Sequence, residues 1–340
     1  MKVAIGYHIQ EGPWGGGNAF AKSLRDYIIA YGGSVVSSLQ DRDIDIILLT
    51  DPRGFSPQIS FHAGSVIRYL LTKNPSALVV HRINECDERK GTGSINRLLT
   101  YANHVADHTV FIASWLKDLK VWRRKSPHSI ILNGADTTIF NSKGYVPWNG
   151  KQKLRLVTHH WGGNSQKGAD IYSKFDELLG LSFWKERFSF SYIGNLPDGL
   201  QLSNSKVMPP MTANLLGKEL VKSHVYLTGS INEPAGMHHI EGASCGLPII
   251  YRQSGALPEY CDGFGLSFNN AAEFERALEE MLMKYKVFQK KMSTYPHNAD
   301  IMCASYIDLF EKLIKKREKI LQRRNLYSDP LALLRNQFPR

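Results

Sequence analysis

The most informative part of this sequence is the stretch EPAGMHHIEGASCGLP at residues 233–248. It lies between two short apolar segments of the kind that form buried strands. Pro234 is typical of the first turn of a helix, so we predict a helix over residues 235–245. The first N–H groups of a helix have no partner within it and attract anions. In this stretch they belong to Ala235, Gly236 and Met237.

Strand-like and helix-like segments alternate along the whole chain. Continuously apolar segments predict strands at residues 2–7, 45–50, 77–81, 108–113 and 129–132, and again at 154–158, 188–193, 224–227 and 248–251. Strands of this kind, alternating with helices, form parallel sheets covered on both faces. We therefore predict an α/β fold with two Rossmann-like parallel-sheet domains that face each other across a cleft, followed by a basic helical tail.

One interruption divides this alternation into two halves. Residues 143–153 carry two glycines and a proline among polar and charged side chains, without periodicity. Such a composition is typical of an interdomain linker. We therefore predict an N-terminal domain at residues 1–142, a C-terminal domain at 154–300 and C-terminal helices at 301–340.

The composition indicates a folded protein without a membrane-spanning segment. The chain has 340 residues, of which 43% are hydrophobic, and this length suits two domains. Its apolar segments stay well below the roughly 18 consecutive apolar residues of a membrane span. Residues 1–7 resemble a first strand more than a signal peptide, and the four cysteines have no zinc-like spacing. We therefore expect a cytoplasmic protein with reduced thiols.

The net charge of +11 points to anionic partners. Nucleic acid, an anionic membrane surface and a phosphorylated substrate are the three classes that would explain it. The sequence has no zinc-finger spacing and no RNP-like aromatic motif, so nucleic acid is the least favoured.

Residues 114–125 combine one of the basic clusters with an apolar pattern. A helix over 114–122 would place Trp115, Leu116, Leu119 and Trp122 on one face. A basic amphipathic helix of this kind can lie on an anionic membrane. Packing of the same face in the core is the alternative that we favour.

Three further loops follow predicted strands and carry residues suited to phosphate or sugar. Gly15-Gly16-Gly17-Asn18 follows the first strand, and its glycines allow the backbone to approach a ligand closely. Lys167-Gly168 lies in the loop after residues 154–158, and His81-Arg82 ends a buried strand. The sequence contains neither a G-x-G-x-x-G fingerprint nor a Walker-type phosphate loop.

In this order the motifs resemble those of the retaining glycosyltransferases of family 4. The resemblance rests on Glu233 and Glu241, separated by seven residues and followed by Gly-Leu-Pro, on Lys167-Gly168, and on ILNGADTTIF at residues 131–140. It extends from residue 15 to about residue 259. The family has the GT-B fold of two Rossmann-like domains, which implies an acceptor-side N-terminal domain and a donor-binding C-terminal domain.

The resemblance implies a role for each candidate residue. Glu233 would contact the donor sugar, and Glu241 would bind the ribose hydroxyls of the nucleotide. Lys167 would neutralise the leaving diphosphate, and His81 would face the donor sugar. The candidate catalytic residues are therefore Glu233, Lys167 and His81. The candidate nucleotide-sugar-binding residues are Gly16, Gly17, Gly194, Asn195, Ala235, Gly236, Met237 and Glu241.

The sequence departs from the family in its phosphate-binding cations. The family has an arginine several residues before the lysine, whereas this chain has none between residues 156 and 185 and carries Trp161 near that place. The candidates to replace it are Arg82, Arg252 and one of the histidines at positions 159 and 160.

The resemblance also implies a reaction and the conditions under which it runs. A hexosyltransferase of this kind would move a sugar from a UDP- or GDP-linked donor to a hydroxyl of a glycan or glycolipid, as in polysaccharide biosynthesis, with retention of anomeric configuration. Lys167 and the helix dipole would do the work of a metal, so neither an essential metal nor another cofactor is expected. The site would lie in the cytoplasm, at the inner face of a membrane if the acceptor is lipid-linked.

Two other functions are compatible with the same motifs. One is a nucleotide-sugar epimerase on the same scaffold, and the other is a non-catalytic relative that binds a sugar nucleotide. Residues 301–340 would pack back on the N-terminal domain, as the last helices of family members do, or form a partner or membrane segment.

Overall fold

The computed structural model describes residues 1–12, 14–53, 56–124 and 126–338. The chain divides into two compact units, each built around its own six-stranded parallel sheet. The first unit contains Met1–Gln10, Gly17–Leu132 and Ala299–Arg340. The second contains Glu11–Gly16 and Asn133–Asn298. The predicted α/β fold class with two Rossmann-like parallel-sheet domains is therefore confirmed.

The sheet of the first unit has the strand order β2-β1-β3-β4-β5-β6. Its strands are β1 (Lys2–Ile5), β2 (Ser34–Val36), β3 (Ile46–Leu49), β4 (Leu78–Ile83), β5 (His108–Phe111) and β6 (His128–Ile130). The helices between them are α1 (Gly16–Ala30), α2 (Ala63–Thr72), α3 (Asp87–Lys90) and α4 (Ile95–Ala102). Each central strand is buried along its length because helices cover both faces of the sheet.

The C-terminal helices belong to this first unit. They are α11 (Ala299–Lys315), α12 (Arg317–Arg323) and α13 (Pro330–Gln337). Tyr306 and Phe310 of α11 are fully buried in the same core cluster as Phe20 of α1. Arg324 donates a hydrogen bond of 2.7 Å to the carbonyl of Ala77, at the start of β4. Helix α11 therefore covers the face of the first sheet on which α1 packs, whereas α13 contacts α2 and α4.

The sheet of the second unit has the strand order β12-β11-β10-β7-β8-β9. Its strands are β7 (Leu154–His160), β8 (Phe188–Gly194), β9 (Lys206–Met208), β10 (Val225–Thr228), β11 (Ile249–Arg252) and β12 (Gly265–Phe268). Its helices are α5 (Ala169–Leu179), α6 (Ser182–Lys185), α7 (Ala213–Leu220), α8 (Met237–Ser244), α9 (Leu257–Cys261) and α10 (Ala271–Lys291). This order places β10 between β7 and β11.

The boundary between the units lies earlier in the chain than residue 142. Asn133 already belongs to the second unit, where its backbone N–H donates to the Tyr260 hydroxyl at 2.6 Å. The segment at 143–153 also packs within that unit. The Tyr145 hydroxyl lies 2.5 Å from that of Tyr285 on α10, and the N–H of Trp148 donates to the same hydroxyl. Residues 143–153 are therefore part of the second unit and not a linker. Their composition did not indicate these packing contacts.

The helix predicted over residues 114–122 is wrong. The structure has a single 3-10 turn at Ser114–Asp118, after which the backbone at Leu119 is extended. Leu116 is fully buried and Trp122 is 7% exposed, which confirms core packing for these two side chains. Lys125, the last residue of the predicted basic cluster, lies outside the described residues. Among the helices of the described ranges, none is both long and apolar enough to cross a membrane.

Candidate functional site

Three loops of the second unit meet at the carboxyl ends of neighbouring strands. They follow β7, β10 and β11, and they comprise residues 161–168, 229–236 and 253–256. In parallel α/β sheets this edge is where ligands bind. The edge carries Lys167, Glu233 and Arg252, three of the residues that the sequence predicted for the site.

The loop that carries Glu233 is held in one conformation by the loop after β11. The N–H of Ala256 donates to the carbonyl of Glu233 at 2.8 Å. Gly255 has a φ of +61°, and a Cβ there would lie 2.5 Å from backbone atoms of Glu233. Asn232 also has a positive φ, of 49°, and its N–H donates to Ser254 Oγ at 2.8 Å. Glu233, which is 3% exposed, is therefore rigidly placed.

Lys167 lies against the Glu233 carboxylate. Its Nζ is 3.3 Å from Glu233 Oε2. Gly168, with a φ of +105°, allows this approach, because a Cβ there would lie 2.6 Å from the backbone of Gly229. The loops after β7 and β10 are therefore close enough to join opposite charges.

Helix α8 begins two residues later than predicted. It starts at Met237 with Gly236 as the N-cap, so Ala235 precedes it. The amides without an intrahelical partner are those of residues 236–239. Asn133 Nδ2 donates to the Ala235 carbonyl at 2.8 Å and so fixes the approach to the helix. A Cβ at Gly236 would lie 2.6 Å from His238 Nδ1, so glycine leaves the helix start uncovered.

Glu241 lies one turn further along α8 and is hydrogen-bonded to β7. Its Oε2 is 2.7 Å from His159 Nε2. The other ring nitrogen of His159, Nδ1, is 3.1 Å from the hydroxyl of Tyr226 on β10. The carboxylate is thus bound to two strands of the sheet through one histidine.

Two histidines of α8, His238 and His239, are neutral. Burial lowers the pKa of His239 to about 3 and that of His238 well below its usual value. His238 Nε2 lies 3.0 Å from Thr228 Oγ1, and His160 Nε2 lies 2.7 Å from the Tyr172 hydroxyl. His238 and His239 therefore add no positive charge for a phosphate at neutral pH.

Arg252, at the end of β11, is a second cation at this edge of the sheet. Its Nε donates to the carbonyl of Gly229 at 2.9 Å, and its guanidinium forms an ion pair with Asp170. The backbone contact holds Arg252 beside the loop that leads from β10 to Glu233.

Gly16, Gly194 and Asn195 lie in the second unit. A Cβ at Gly16 would lie 2.6 Å from Met237 Cγ, so only glycine fits beside the start of α8. A Cβ at Gly194 would lie 1.9 Å from the carbonyl oxygen of His160. Asn195 Nδ2 donates to the carbonyl of Trp161 at 2.6 Å and so ties the end of β8 to the loop after β7.

The other three predicted residues, Gly17, His81 and Arg82, lie in the first unit. His81 is fully buried, burial lowers its pKa to about 3, and its Nδ1 accepts a hydrogen bond of 3.1 Å from Asn103 Nδ2. Arg82 points to the other face of the sheet, where its guanidinium stacks 3.7 Å from the ring centroid of Phe20. Gly17 lies in the first turn of α1. The structure therefore packs Arg82 in the core of its unit.

Sequence reasoning missed three contributors to the site, namely Asn133, Tyr226 and the bond from His159 to Glu241. One signal was available in the pairs His159-His160 and His238-His239, which fall in the two loop motifs. Adjacent histidines after one strand and at the start of one helix indicate a shared polar cluster. The partner of each ring could not be predicted, because it comes from a different strand.

Comparisons with known proteins identify the fold that carries this site. No protein-family model matches the chain. It is 30% identical over 170 residues to the phosphatidylinositol N-acetylglucosaminyltransferase gpi3 subunit of Schizosaccharomyces pombe. That region is 47% of this chain, and it spans only 37% of the yeast protein.

Solved structures match over most of the chain. The sucrose-phosphate synthase of Thermosynechococcus elongatus has a TM-score of 0.65 at 12% identity, covering 92% of this chain and 99% of that one. Anabaena HepE, in a complex with UDP-glucose, also has a TM-score of 0.65, at 13% identity, covering 92% of this chain and 100% of that one. The chain has the GT-B glycosyltransferase fold. At these identities the likeness shows the fold alone.

Proposed function

We propose that this protein is a glycosyltransferase that takes a sugar from a nucleoside-diphosphate sugar and transfers it to a hydroxyl group. The observation that carries this proposal is the arrangement around α8. Glu233 lies just before the short helix α8, and Glu241 lies in the middle of that helix. The Lys167 ammonium is 3.3 Å from the Glu233 carboxylate. The GT-B fold and the names of the similar proteins support the same reaction class.

The start of α8 would hold the diphosphate. The amides of residues 236–239 and the positive end of the helix dipole favour an anion there, and Gly236 has no side chain to cover them. Lys167 would add a full positive charge as the leaving group develops its own. Arg252 is the second cation that we propose in place of the missing arginine, because it lies at the same edge of the sheet.

Glu233 would orient the sugar, and Glu241 would bind the nucleotide. A buried carboxylate beside a lysine can accept hydrogen bonds from sugar hydroxyls while its charge stays balanced. Glu241 lies on α8, eight residues further along the chain than Glu233, and we propose that it binds the ribose diol. The contact of His81 with the donor sugar stays a prediction from the family resemblance, and in the structure this side chain is fully buried in the first unit.

Retention of configuration, independence of metal and the acceptor class are parts of the same proposal. With a lysine, a helix start and Arg252 to offset the diphosphate, the reaction needs no divalent ion. The donor would be UDP- or GDP-linked, as the family resemblance implies, and the complex of HepE with UDP-glucose supports the UDP-linked form. The acceptor would be a glycan or glycolipid, the second of which would bring the protein to the inner face of a membrane.

Thermal unfolding in the presence of UDP, GDP, ADP or CMP, each with and without EDTA, tests the donor site. A ligand at about 100 times its Kd adds roughly 2.7 kcal/mol of stability, a shift of a few degrees. We expect a shift with one nucleoside diphosphate that EDTA leaves unchanged. Glu241→Ala should abolish it, while Glu279→Ala, on the exposed face of α10, should keep it.

Each other outcome has a definite meaning. The absence of a shift with all four nucleotides would contradict the proposal, and a shift that requires divalent metal would contradict the role of Lys167. Incubation with sugar nucleotides of the base that binds then separates the remaining activities. Release of the nucleoside diphosphate indicates transfer or hydrolysis, an epimeric sugar nucleotide indicates an epimerase, and binding without turnover indicates a non-catalytic relative.

A further inference from the structure

Three side chains, hydrogen-bonded in series, connect α8 to the sheet on which it packs. Glu241 Oε2 lies 2.7 Å from His159 Nε2, and His159 Nδ1 lies 3.1 Å from the Tyr226 hydroxyl. The side chain of Glu241 is 12% exposed and that of His159 is 9% exposed, while Tyr226 is fully buried. Hydrogen bonds this well shielded from water hold their geometry better than those on a surface.

The direction of the two hydrogen bonds, from Tyr226 to His159 and from His159 to Glu241, depends on which atoms carry protons. The backbone N–H of His159 donates to the Tyr226 hydroxyl oxygen at 3.1 Å. The hydroxyl proton then has two acceptors within reach, the carbonyl oxygen of His159 at 3.5 Å and His159 Nδ1, which is closer at 3.1 Å. Donation of that proton to His159 Nδ1 places the ring proton on Nε2. Nε2–H then donates to Glu241 Oε2. Tyr226 therefore sets the tautomer that Glu241 requires.

The sequence next to Glu241 accommodates this arrangement. Gly242 lies over the ring of Tyr226, and a Cβ there would be 2.1 Å from a ring carbon. Any larger residue would push α8 away from β10. Glycine thus allows the tyrosine ring to reach the histidine under the helix.

The arrangement leaves Glu241 with one oxygen for a ligand. Oε2 is occupied by His159, whereas within the described part of the chain Oε1 has no hydrogen-bond partner. A glutamate side chain has several rotamers, and holding it in one of them before binding lowers the entropic cost of binding.

We propose that His159, held by Tyr226, is a positioning residue that orients the Glu241 carboxylate for the ribose diol. This inference rests on the proposed function, in which Glu241 binds the ribose. The role of His159 would concern the ribose contact alone, because other groups hold the diphosphate. Loss of His159 should weaken binding through the ribose hydroxyls and leave the other contacts of the nucleotide intact.

Titration calorimetry with two pairs of nucleotides tests the proposal. The pairs are UDP with 2′,3′-dideoxy-UDP and GDP with 2′,3′-dideoxy-GDP, and the wild-type protein should prefer the ribose form of one pair. His159→Leu should weaken binding of the ribose form by about tenfold and leave the dideoxy form unchanged. His159→Gln, whose amide can still donate to Glu241, should restore much of the preference.

Tyr226→Phe and Tyr172→Phe form a matched pair of variants. Both tyrosines are fully buried and both place their hydroxyl beside a histidine of β7, but Tyr172 reaches His160 and not His159. Tyr226→Phe should reduce the preference for ribose about threefold, since Nδ1 loses its donor. Tyr172→Phe should cost comparable stability and leave the preference at its wild-type value.

The other outcomes overturn the proposal in distinguishable ways. Equal weakening of the ribose and dideoxy forms in His159→Leu would show that the histidine only maintains the fold. A wild-type protein that binds both forms of a pair equally would exclude a ribose contact. Failure of the wild type to bind UDP, GDP or their dideoxy forms would overturn the proposed donor site itself, and this inference with it.

Discussion

At the scale of single residues, opposite charges meet where the loops after β7 and β10 approach each other. Lys167 Nζ lies 3.3 Å from Glu233 Oε2, and the side chains are 21% and 4% exposed. Such partial burial strengthens the attraction, because water screens it less than on a surface. It also means that each partner depends on the other for its electrostatic environment.

A double-mutant cycle on this pair gives the first residue-scale prediction. Lys167→Met, Glu233→Gln and the double variant should show a coupling free energy of about 1–3 kcal/mol in urea unfolding. The pair of Lys174 and Glu275, 2.9 Å apart with side chains 34% and 35% exposed, is the control and should couple by less than about 1 kcal/mol. Equal coupling in the two pairs would mean that Lys167 does not engage Glu233 in solution.

At the scale of elements, the packing of α8 on β10 decides where the site residues lie. The helix is eight residues long and most of its side chains are buried, so it has little freedom to shift. Gly242 of this helix lies directly against the ring of Tyr226 on β10. The position of Glu241 therefore depends on a contact made by its neighbour.

Gly242→Ala should destabilise the second unit. The added methyl group would meet the Tyr226 ring at 2.1 Å, and overpacking of this kind typically costs about 1–3 kcal/mol. This exceeds the gain of up to about 1 kcal/mol that alanine brings to a helix. Urea unfolding measures the change.

Gly93→Ala is the matched control, because a Cβ at Gly93 would meet no atom within 4 Å. It should leave the free energy of unfolding unchanged or raise it slightly. A neutral or stabilising effect of Gly242→Ala would show that α8 can move away from β10.

At the scale of the whole molecule, both units bury neutral histidines. The pKa is lowered to about 3 for His81 and His239, and to about 4 for His108, His224 and His297. Burial is the main cause in each case, because the imidazolium form loses its hydration inside the protein. These side chains bind protons far more readily in the unfolded chain, where their pKa is near 6.5.

This difference predicts a fold that loses stability in mild acid. Below pH 6.5 the unfolded state takes up protons that the folded state excludes, so the free energy of unfolding falls as the pH falls towards 4. Above pH 6.5 their contribution to the pH dependence declines, and it is nearly gone by pH 8. Each histidine should cost about 2 kcal/mol at pH 5 relative to pH 8.

Urea unfolding from pH 5 to pH 8 measures this dependence. His224→Gln is a suitable variant, because glutamine can still accept the hydrogen bond that the N–H of Arg155 donates to the ring. It should reduce the slope of stability against pH below 6.5 by the contribution of one proton. A stability that is flat from pH 5 to pH 6.5 would contradict the burial of these side chains.

Much of the fold could be predicted because it depends on local patterns. Buried apolar strands and amphipathic helices repeat their pattern within a few residues, and this pattern predicted most of the elements in their order. The sheet-edge strands β2, β9 and β12 were not predicted, because they are short and partly exposed. Glu233 and Glu241 could also be predicted as site residues, because both lie in one short stretch of sequence and their spacing can be recognised there. The helix over 114–122 failed because tertiary packing, which buries Leu116 and Trp122 separately, overrode the local pattern.

The sequence by itself determined the fold class, nine of the twelve strands of the described ranges in their order, and the stretch that carries the candidate site. Only the tertiary structure decided that Asn133 fixes the approach to α8, that residues 143–153 pack on α10, and that His159 joins Glu241 to Tyr226. The physical reason is the distance along the chain. These partners are separated by 67–140 residues, and no local period links residues so far apart.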